Sequence, residues 1–471
     1  MDTEKNKNLD EKYKFLPWIA AVAFFMQSLD ATILNTALPS IAYDMKRSPL
    51  SMQSIIISYI LVLALLIPLS GWLSDRFGSK KIFIWAMGIF TFGSLLCACS
   101  PSLEFLISSR IIQAIGGSMM VPVSRLAILY TYAKDKLLAI INFITIPGLV
   151  GPIIGPTLGG WLVDVTSWHW IFLINIPVGI AGIFFARQYM PNYIMKRKKF
   201  DFMGMLLFSG SLLLITISIE FSADKILGGA WFILLFLSGS ILMILYYKHF
   251  KRTKTPLIDL DLLKIRTLSI GILGNLLTRI GIGGMPLLLP LLFQIGFKYS
   301  ATVSGIMMIP AALTSIIVRA WATPLVKRLG YRKTLIYNTL LIALVIALFA
   351  IPDQNTPLFF LLPLLVAYGG FNSLQMTTMN TLTLADLNNK NVSMGNSLLT
   401  IMQQLSMSMG VSISALLLNK YHQIAEINKW DSMLVFRYTF LSMGILTAIV
   451  SLIFFRLKNS DGAEMITSEK S

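Results

Sequence analysis

Long apolar runs, each broken by only a few polar positions, alternate along the whole chain with short polar or basic connections. A helix that crosses a bilayer needs about 20 predominantly apolar residues in succession. Runs of that length at 15–38, 52–73, 82–100, 103–126, 137–161, 168–190, 203–222, 229–248, 268–294, 303–326, 334–351, 357–384, 396–419 and 433–456 predict fourteen such helices. The expected class is an all-α integral membrane protein with no segment left over for a soluble catalytic domain. Two connections are longer and strongly basic, at 192–204 and 246–267, and they bracket a pair of helices with few polar residues. The expected organisation is a six-helix bundle over 1–200, two additional helices over 201–255 and a second six-helix bundle over 256–471.

Composition agrees. Hydrophobic residues make up 55% and charged residues 13% of the 471, whereas soluble domains carry about 25% charged residues. The net charge of +17 raises the question of a polyanionic partner. With the N-terminus placed in the cytoplasm and sides alternating at each run, 29 of the 39 Lys and Arg fall on the cytoplasmic side and six on the other. That is the positive-inside bias. It accounts for the basicity without nucleic acid, and some of these charges are expected to touch anionic lipid heads. An even number of spans puts both termini in the cytoplasm. Cys97 and Cys99 point to different sides of one helix and are expected to stay unpaired. Three His residues, with no nucleophile constellation and no metal-ligand cluster, argue against an enzyme, and no cofactor is expected.

The two bundles carry a short internal repeat. GWLSDRFGSKK (71–81) connects helices two and three, and TPLVKRLGYRKT (323–334) connects helices ten and eleven. Aligning Gly78 with Gly330 matches Arg76 to Arg328, Lys80 to Arg332 and Lys81 to Lys333, while Lys327 stands where Asp75 would be. Paired bundles related by an axis along the membrane normal are a transporter design, with substrate held near the midplane. In the first copy, Gly71 permits close helix approach and Gly78 a tight turn. Asp75 sits at a helix C-terminal end, where the dipole disfavours an acid, so it needs a cation nearby, and Arg125 is the expected partner.

Charge inside the apolar runs is sparse. Asp30 lies near the middle of the first run, with Gln27 and Asn35 roughly on its side of the helix. A charge at mid-membrane costs about 2.5–3.5 kcal/mol on insertion scales, so the carboxylate is expected to face a wet interior and to bind and release a proton. Arg110 on the fourth run also needs a partner. Asp30 is the only carboxylate deep in the first six runs, so the two are expected to meet directly or through water. Burial favours the neutral acid and a nearby guanidinium favours the carboxylate, so a changing separation would change proton affinity. In the second half, Arg279 is a lone intramembrane cation that would meet either an anionic substrate or carbonyls. The polar series Asn372, Gln375, Asn380, Gln403 and Gln404 serves either interhelical bonding or a pocket. On the fifth run, Gly151, Gly155 and Gly159 form a smooth ridge suited to backbone-close packing, and Pro152 and Pro156 bend it.

The loop pattern G-x-L-x-D-R-x-G-x-K-K resembles the signature of the major facilitator superfamily. LDATILNTALP (29–39), GPIIGPTLGGWL (151–162) and WHWIFLINIPVG (168–179) resemble, more narrowly, the superfamily's drug:proton antiporters with fourteen spans. The resemblance implies two six-helix bundles plus two extra helices, and proton-driven export of amphipathic, drug-like small molecules by alternating access. A dedicated exporter or importer of one metabolite is the alternative. It also implies a monomer in the bacterial inner membrane, with a small-molecule substrate, protons and lipid as partners and a proton gradient as energy source. Carried over by residue, Asp30 and Arg110 couple protons. Gly71, Asp75, Arg76, Gly78, Lys80, Lys81 and Arg125 form a conformational switch. Gly151, Gly155, Pro156, Gly159 and Gly160 form a helix seal. Pocket candidates are Gln27, Gln113, Arg279, Asn372, Gln375 and Gln404. The family's R-x-x-Q-G-x-G appears here as Arg110, Gln113 and Gly116 with Ala114 in place of the first glycine, and His169 stands where the sixth-helix pattern has Arg.

Overall fold

A computed structural model describes residues 13–132, 134–195, 200–221, 228–387, 391–458 and 461–462. The basic run at 196–199 and both chain ends, whose charges enter the expected sidedness, lie outside the described residues. All regular structure among the described residues is helical. The α-helices are α1 Leu16–Ile33, α2 Leu38–Asp44, α3 Gln53–Phe77, α4 Ser79–Ala98, α5 Leu103–Thr131, α6 Lys134–Val165, α7 Trp170–Leu173, α8 Asn175–Tyr189, α9 Phe202–Phe221, α10 Gly228–Arg252, α11 Arg266–Ile282, α12 Met285–Leu291, α13 Ala301–Leu348, α14 Leu358–Leu384, α15 Val392–Asn428 and α16 Ser432–Phe454. Thirteen stretches are long and apolar enough to cross a membrane. One of them, α13, has 48 residues, which at 1.5 Å per residue is about 70 Å, more than twice a hydrocarbon core of ~30 Å. It breaks at Gly330, where φ is 75° and ψ 161°, so its two arms are separate spans and the described residues hold fourteen.

Gly330 matters a second time. Gly78, its match in the internal repeat, separates α3 from α4 with φ 99° and ψ 136°. Two glycines aligned by sequence therefore hold the same glycine-favouring backbone conformation at the same step of each half. Their surroundings differ. A Cβ on Gly78 would collide with the side chain of Asn192, whereas one on Gly330 would meet nothing within 4 Å. Both Gly→Ala changes incur backbone strain of about 1–3 kcal/mol, and Gly78→Ala adds the clash. Thermal melts in detergent should show Gly78→Ala as the more destabilised of the two; equal losses would mean that the Asn192 contact gives way freely.

Two compact units emerge, one of Met1–Phe200 with Ser300–Ile306, the other of Asp201–Tyr299 with Met307–Ser471. The pair α9 and α10, set apart at 201–255 in the sequence, falls in the second unit because α9 packs on α15 as well as on α10. In the first unit, α4 packs on α5 and α1 on α6.

The α1–α6 seam shows why the proline-rich sixth helix is stable. Pro152 has no N–H, so the carbonyl of Gly148 loses its helical donor. Ser28 Oγ on α1 donates to that carbonyl at 2.6 Å. One turn on, Thr32 Oγ1 donates to Gly151 O at 3.3 Å, and Thr36 Oγ1 donates to Pro156 O at 3.0 Å. A Cβ at Gly151 would press on Ser28 and Leu29, at Gly155 on Thr32, and at Gly159 on Ile33. The glycine ridge, expected as a pivot or seal, thus docks α6 onto the hydroxyl ladder of α1. Further out, Gly160 abuts Ala301, and Thr157 Oγ1 donates to Gly305 O at 3.2 Å, both partners lying in the 300–306 segment of the same unit.

Candidate functional site

Asp30 sits on α1 beside the residues that this seam clamps, Ser28, Leu29 and Thr32. Arg110 and Gln113 project from α5, which is drawn against α4 by two glycines. A Cβ on Gly93 would strike the Gln113 backbone at 2.6 Å, and one on Gly116 would strike backbone atoms of Ala86 and Phe90. Ala114 is fully buried, so the extra methyl at that position is accommodated. Small residues on α4, α5 and α6 therefore bring three helices close enough for short polar side chains to meet.

They meet around the carboxylate. Arg110 Nη1 donates to Asp30 Oδ2 at 2.6 Å. Gln113 Nε2 donates to Asp30 Oδ1 at 2.8 Å and to Ser94 Oγ at 2.7 Å. Asn175 Nδ2 reaches Asp30 Oδ1 at 3.2 Å. Gln113 Oε1 in turn accepts from Arg110 Nη1 at 2.6 Å and, weakly, from Cys97 Sγ at 3.8 Å. The guanidinium carbon lies 4.1 Å from the Tyr59 ring centroid and 5.8 Å from that of Phe172, within cation–π range.

Both charged residues are 1% exposed. The expectation of a carboxylate turned toward a wet interior is thereby corrected: Asp30 faces a closed polar cluster, because α1, α5 and α8 pack around it. The ion pair is also made through a single guanidinium nitrogen, and Arg110 Nε and Tyr59 Oη are buried without partners. A bidentate fork is the stronger arrangement, so this pair is held less firmly than its burial suggests.

The other candidates are dispersed. Gln27 Nε2 donates to Gly117 O at 3.3 Å, tying α1 to α5 near the cluster. The loop at 71–81 is gripped by the strap that follows α8. Met195 N donates to Asp75 O at 3.0 Å, Ser79 N donates to Tyr193 O at 3.1 Å, Lys80 N donates to Asn192 Oδ1 at 3.2 Å, and Ser79 Oγ donates to Pro191 O at 3.0 Å. Arg76 lies over the Trp72 and Phe77 rings, 4.9 and 5.3 Å from their centroids. Arg125 lies 5.3 Å from the Phe24 ring centroid and has no ion pair among the described residues. Gly71 faces Leu126 without crowding, and Lys81 is exposed.

In the second unit, Gln375 is spent on bonding between helices: its Nε2 donates to Thr339 Oγ1 at 2.9 Å and its Oε1 accepts from Asn338 at 2.8 Å. Gln403 donates to Asn380 at 2.6 Å. Gln404 and Asn372 are partly buried, and Asn372 Oδ1 has no partner. Cys97 and Cys99 are unpaired.

Sequence reasoning missed Tyr59, Ser94, Asn175 and the 191–195 strap. Asn175 had a signal, since it is the polar residue inside WHWIFLINIPVG; Tyr59 and Ser94 had none beyond being polar in apolar helices.

The Major Facilitator Superfamily matches residues 20–411 and 272–470. "Putative multidrug resistance protein MdtD" of Pectobacterium carotovorum is 44% identical over 441 residues, covering 93% of this chain and 95% of that one. The protein of the same name from Escherichia coli is 41% identical over 468 residues, with 98% of each covered. Among solved structures, an auto-inhibited POT family peptide transporter aligns with a TM-score of 0.68 at 13% identity, covering 96% of this chain and 98% of its own. The nucleoside transporter NupG aligns with a TM-score of 0.66 at 14% identity, covering 93% and 99%. At such identities these two speak for the fold alone.

Proposed function

This chain belongs to the Major Facilitator Superfamily, and from that premise we propose that it is a proton-coupled antiporter that exports amphipathic small molecules. Its relatives are named for multidrug resistance, which supports an efflux role. The proposed setting is the bacterial inner membrane, with both termini cytoplasmic and the protein acting as a monomer. One observation carries the reading: among the described residues, the buried ion pair of the first bundle is a carboxylate held by one guanidinium nitrogen beside two neutral amides. In the closed cluster, Asp30 accepts from Arg110, Gln113 and Asn175. When the helices shift and Arg110 withdraws, Asp30 takes up a proton, and Gln113 and Asn175 remain to hold the neutral acid. Return of Arg110 expels the proton.

The driving force is adequate. One charge moved through 100 mV supplies about 2.3 kcal/mol, enough for roughly a fiftyfold gradient of a neutral substrate, since ~1.4 kcal/mol is tenfold. The test is purified protein in liposomes under an imposed pH gradient, challenged with cationic, neutral and anionic amphipathic dyes. Uphill movement that collapses when a protonophore is added supports the proposal. Transport indifferent to the gradient contradicts it, and saturable counterflow of one compound alone points to a dedicated exporter.

A further inference from the structure

We propose that Arg279 selects for negative charge, so that the molecules moved by this protein carry a carboxylate, sulfonate or phosphate group. The proposal rests on the reading of the chain as an exporter and adds the substrate class to it.

Arg279 lies on α11 near the middle of the 31-residue span Arg266–Gly296. At helical spacing it continues the stripe Leu268, Ile272, Asn275 and Ile282, all of which are buried. Its own side chain is only partly buried. The Nε is enclosed and has no partner, and the side chain makes no hydrogen bond or ion pair among the described residues. Between residues 266 and 348 the sequence contains no Asp or Glu. The contrast with Arg110 is direct: that guanidinium is neutralised by Asp30 at 2.6 Å, and this one is not neutralised.

A guanidinium stays charged, and a charge partly withdrawn from water without a counter-charge is unfavourable. A counter-ion that arrives with the cargo resolves this, and a planar carboxylate or tetrahedral oxyanion fits the guanidinium fork. Asp30 and Arg110 cancel each other, whereas Arg279 has no counter-charge among the described residues.

The experiment is equilibrium binding to the purified full-length protein in detergent. The probes are N-dansyl derivatives of glycine, leucine, phenylalanine and tryptophan, each as the free acid and as the amide, so that the members of a pair differ essentially in charge. The wild type should bind at least one acid about tenfold more tightly than its amide, a difference of ~1.4 kcal/mol. Arg279→Gln should erase that difference, and Arg279→Lys should keep part of it, with thermal melts run alongside. Equal affinities within every pair, binding of no acid at all, or an acid preference that survives Arg279→Gln would each overturn the proposal. If Arg279→Gln does not fold, the wild-type pairs and Arg279→Lys decide. The measurement uses no gradient, so a failure of the exporter reading shows separately, as an acid preference in binding with no transport in liposomes.

Discussion

Asp30→Asn should reduce pH-gradient-driven accumulation to the level of empty liposomes. The substitution keeps the volume, and the amide oxygen can still accept from Gln113 and Asn175, which now bond to Oδ1. It removes the carboxylate proposed to exchange a proton. The same change leaves Arg110 buried at 1% exposure with no anion. Removing one member of a buried pair typically costs about 3–5 kcal/mol, so the variant should also melt well below the wild type. Gradient-independent counterflow should persist in whatever fraction remains folded. Wild-type accumulation by Asp30→Asn would remove the basis for the proposed coupling.

Arg110→Gln should behave differently, and the asymmetry is chemical. A lone buried carboxylic acid can take up a proton and become neutral, whereas a lone guanidinium stays charged. Arg110→Gln at neutral pH should therefore be less destabilised than Asp30→Asn, although it too loses coupling because nothing displaces the proton from Asp30. The combination Asp30→Asn with Arg110→Gln leaves no charge in the cluster and should recover most of the stability lost by Asp30→Asn alone, since neutral replacement of a buried pair is often close to neutral in energy. Its transport should stay uncoupled. A double variant that melts as low as Asp30→Asn would mean that the cluster depends on its specific hydrogen bonds rather than on charge balance.

Much of this was legible in the chain. Spans are read from the length of apolar runs, because the bilayer imposes one thickness on every crossing helix. The Asp30–Arg110 pairing followed by elimination, since an apolar bundle with one acid and one base has few ways to satisfy both. Gly78 and Gly330 revealed the repeat, because positive φ is a requirement of the backbone and not of neighbours. What stayed hidden depends on which helix faces meet. The ridge Gly151–Gly155–Gly159 announced close packing but not against which helix; its partner is the ladder Ser28, Thr32, Thr36, whose hydroxyls recur at every fourth residue. A periodic series of hydroxyls on one helix and glycines and prolines on another is a signal that could have matched them. Asn175, Ser94 and Tyr59 come together only after α4, α5 and α8 are packed, and no spacing within one helix encodes that.

The most direct test of the account is proton release. Purified protein in weakly buffered detergent solution, containing a pH indicator, is mixed with a transported substrate. If substrate favours the return of Arg110 to Asp30, the wild type should release protons on binding, up to about one per bound molecule, because a nearby guanidinium favours the carboxylate, and Asp30→Asn should release none. Equal proton release from both proteins, or none from either, would contradict it.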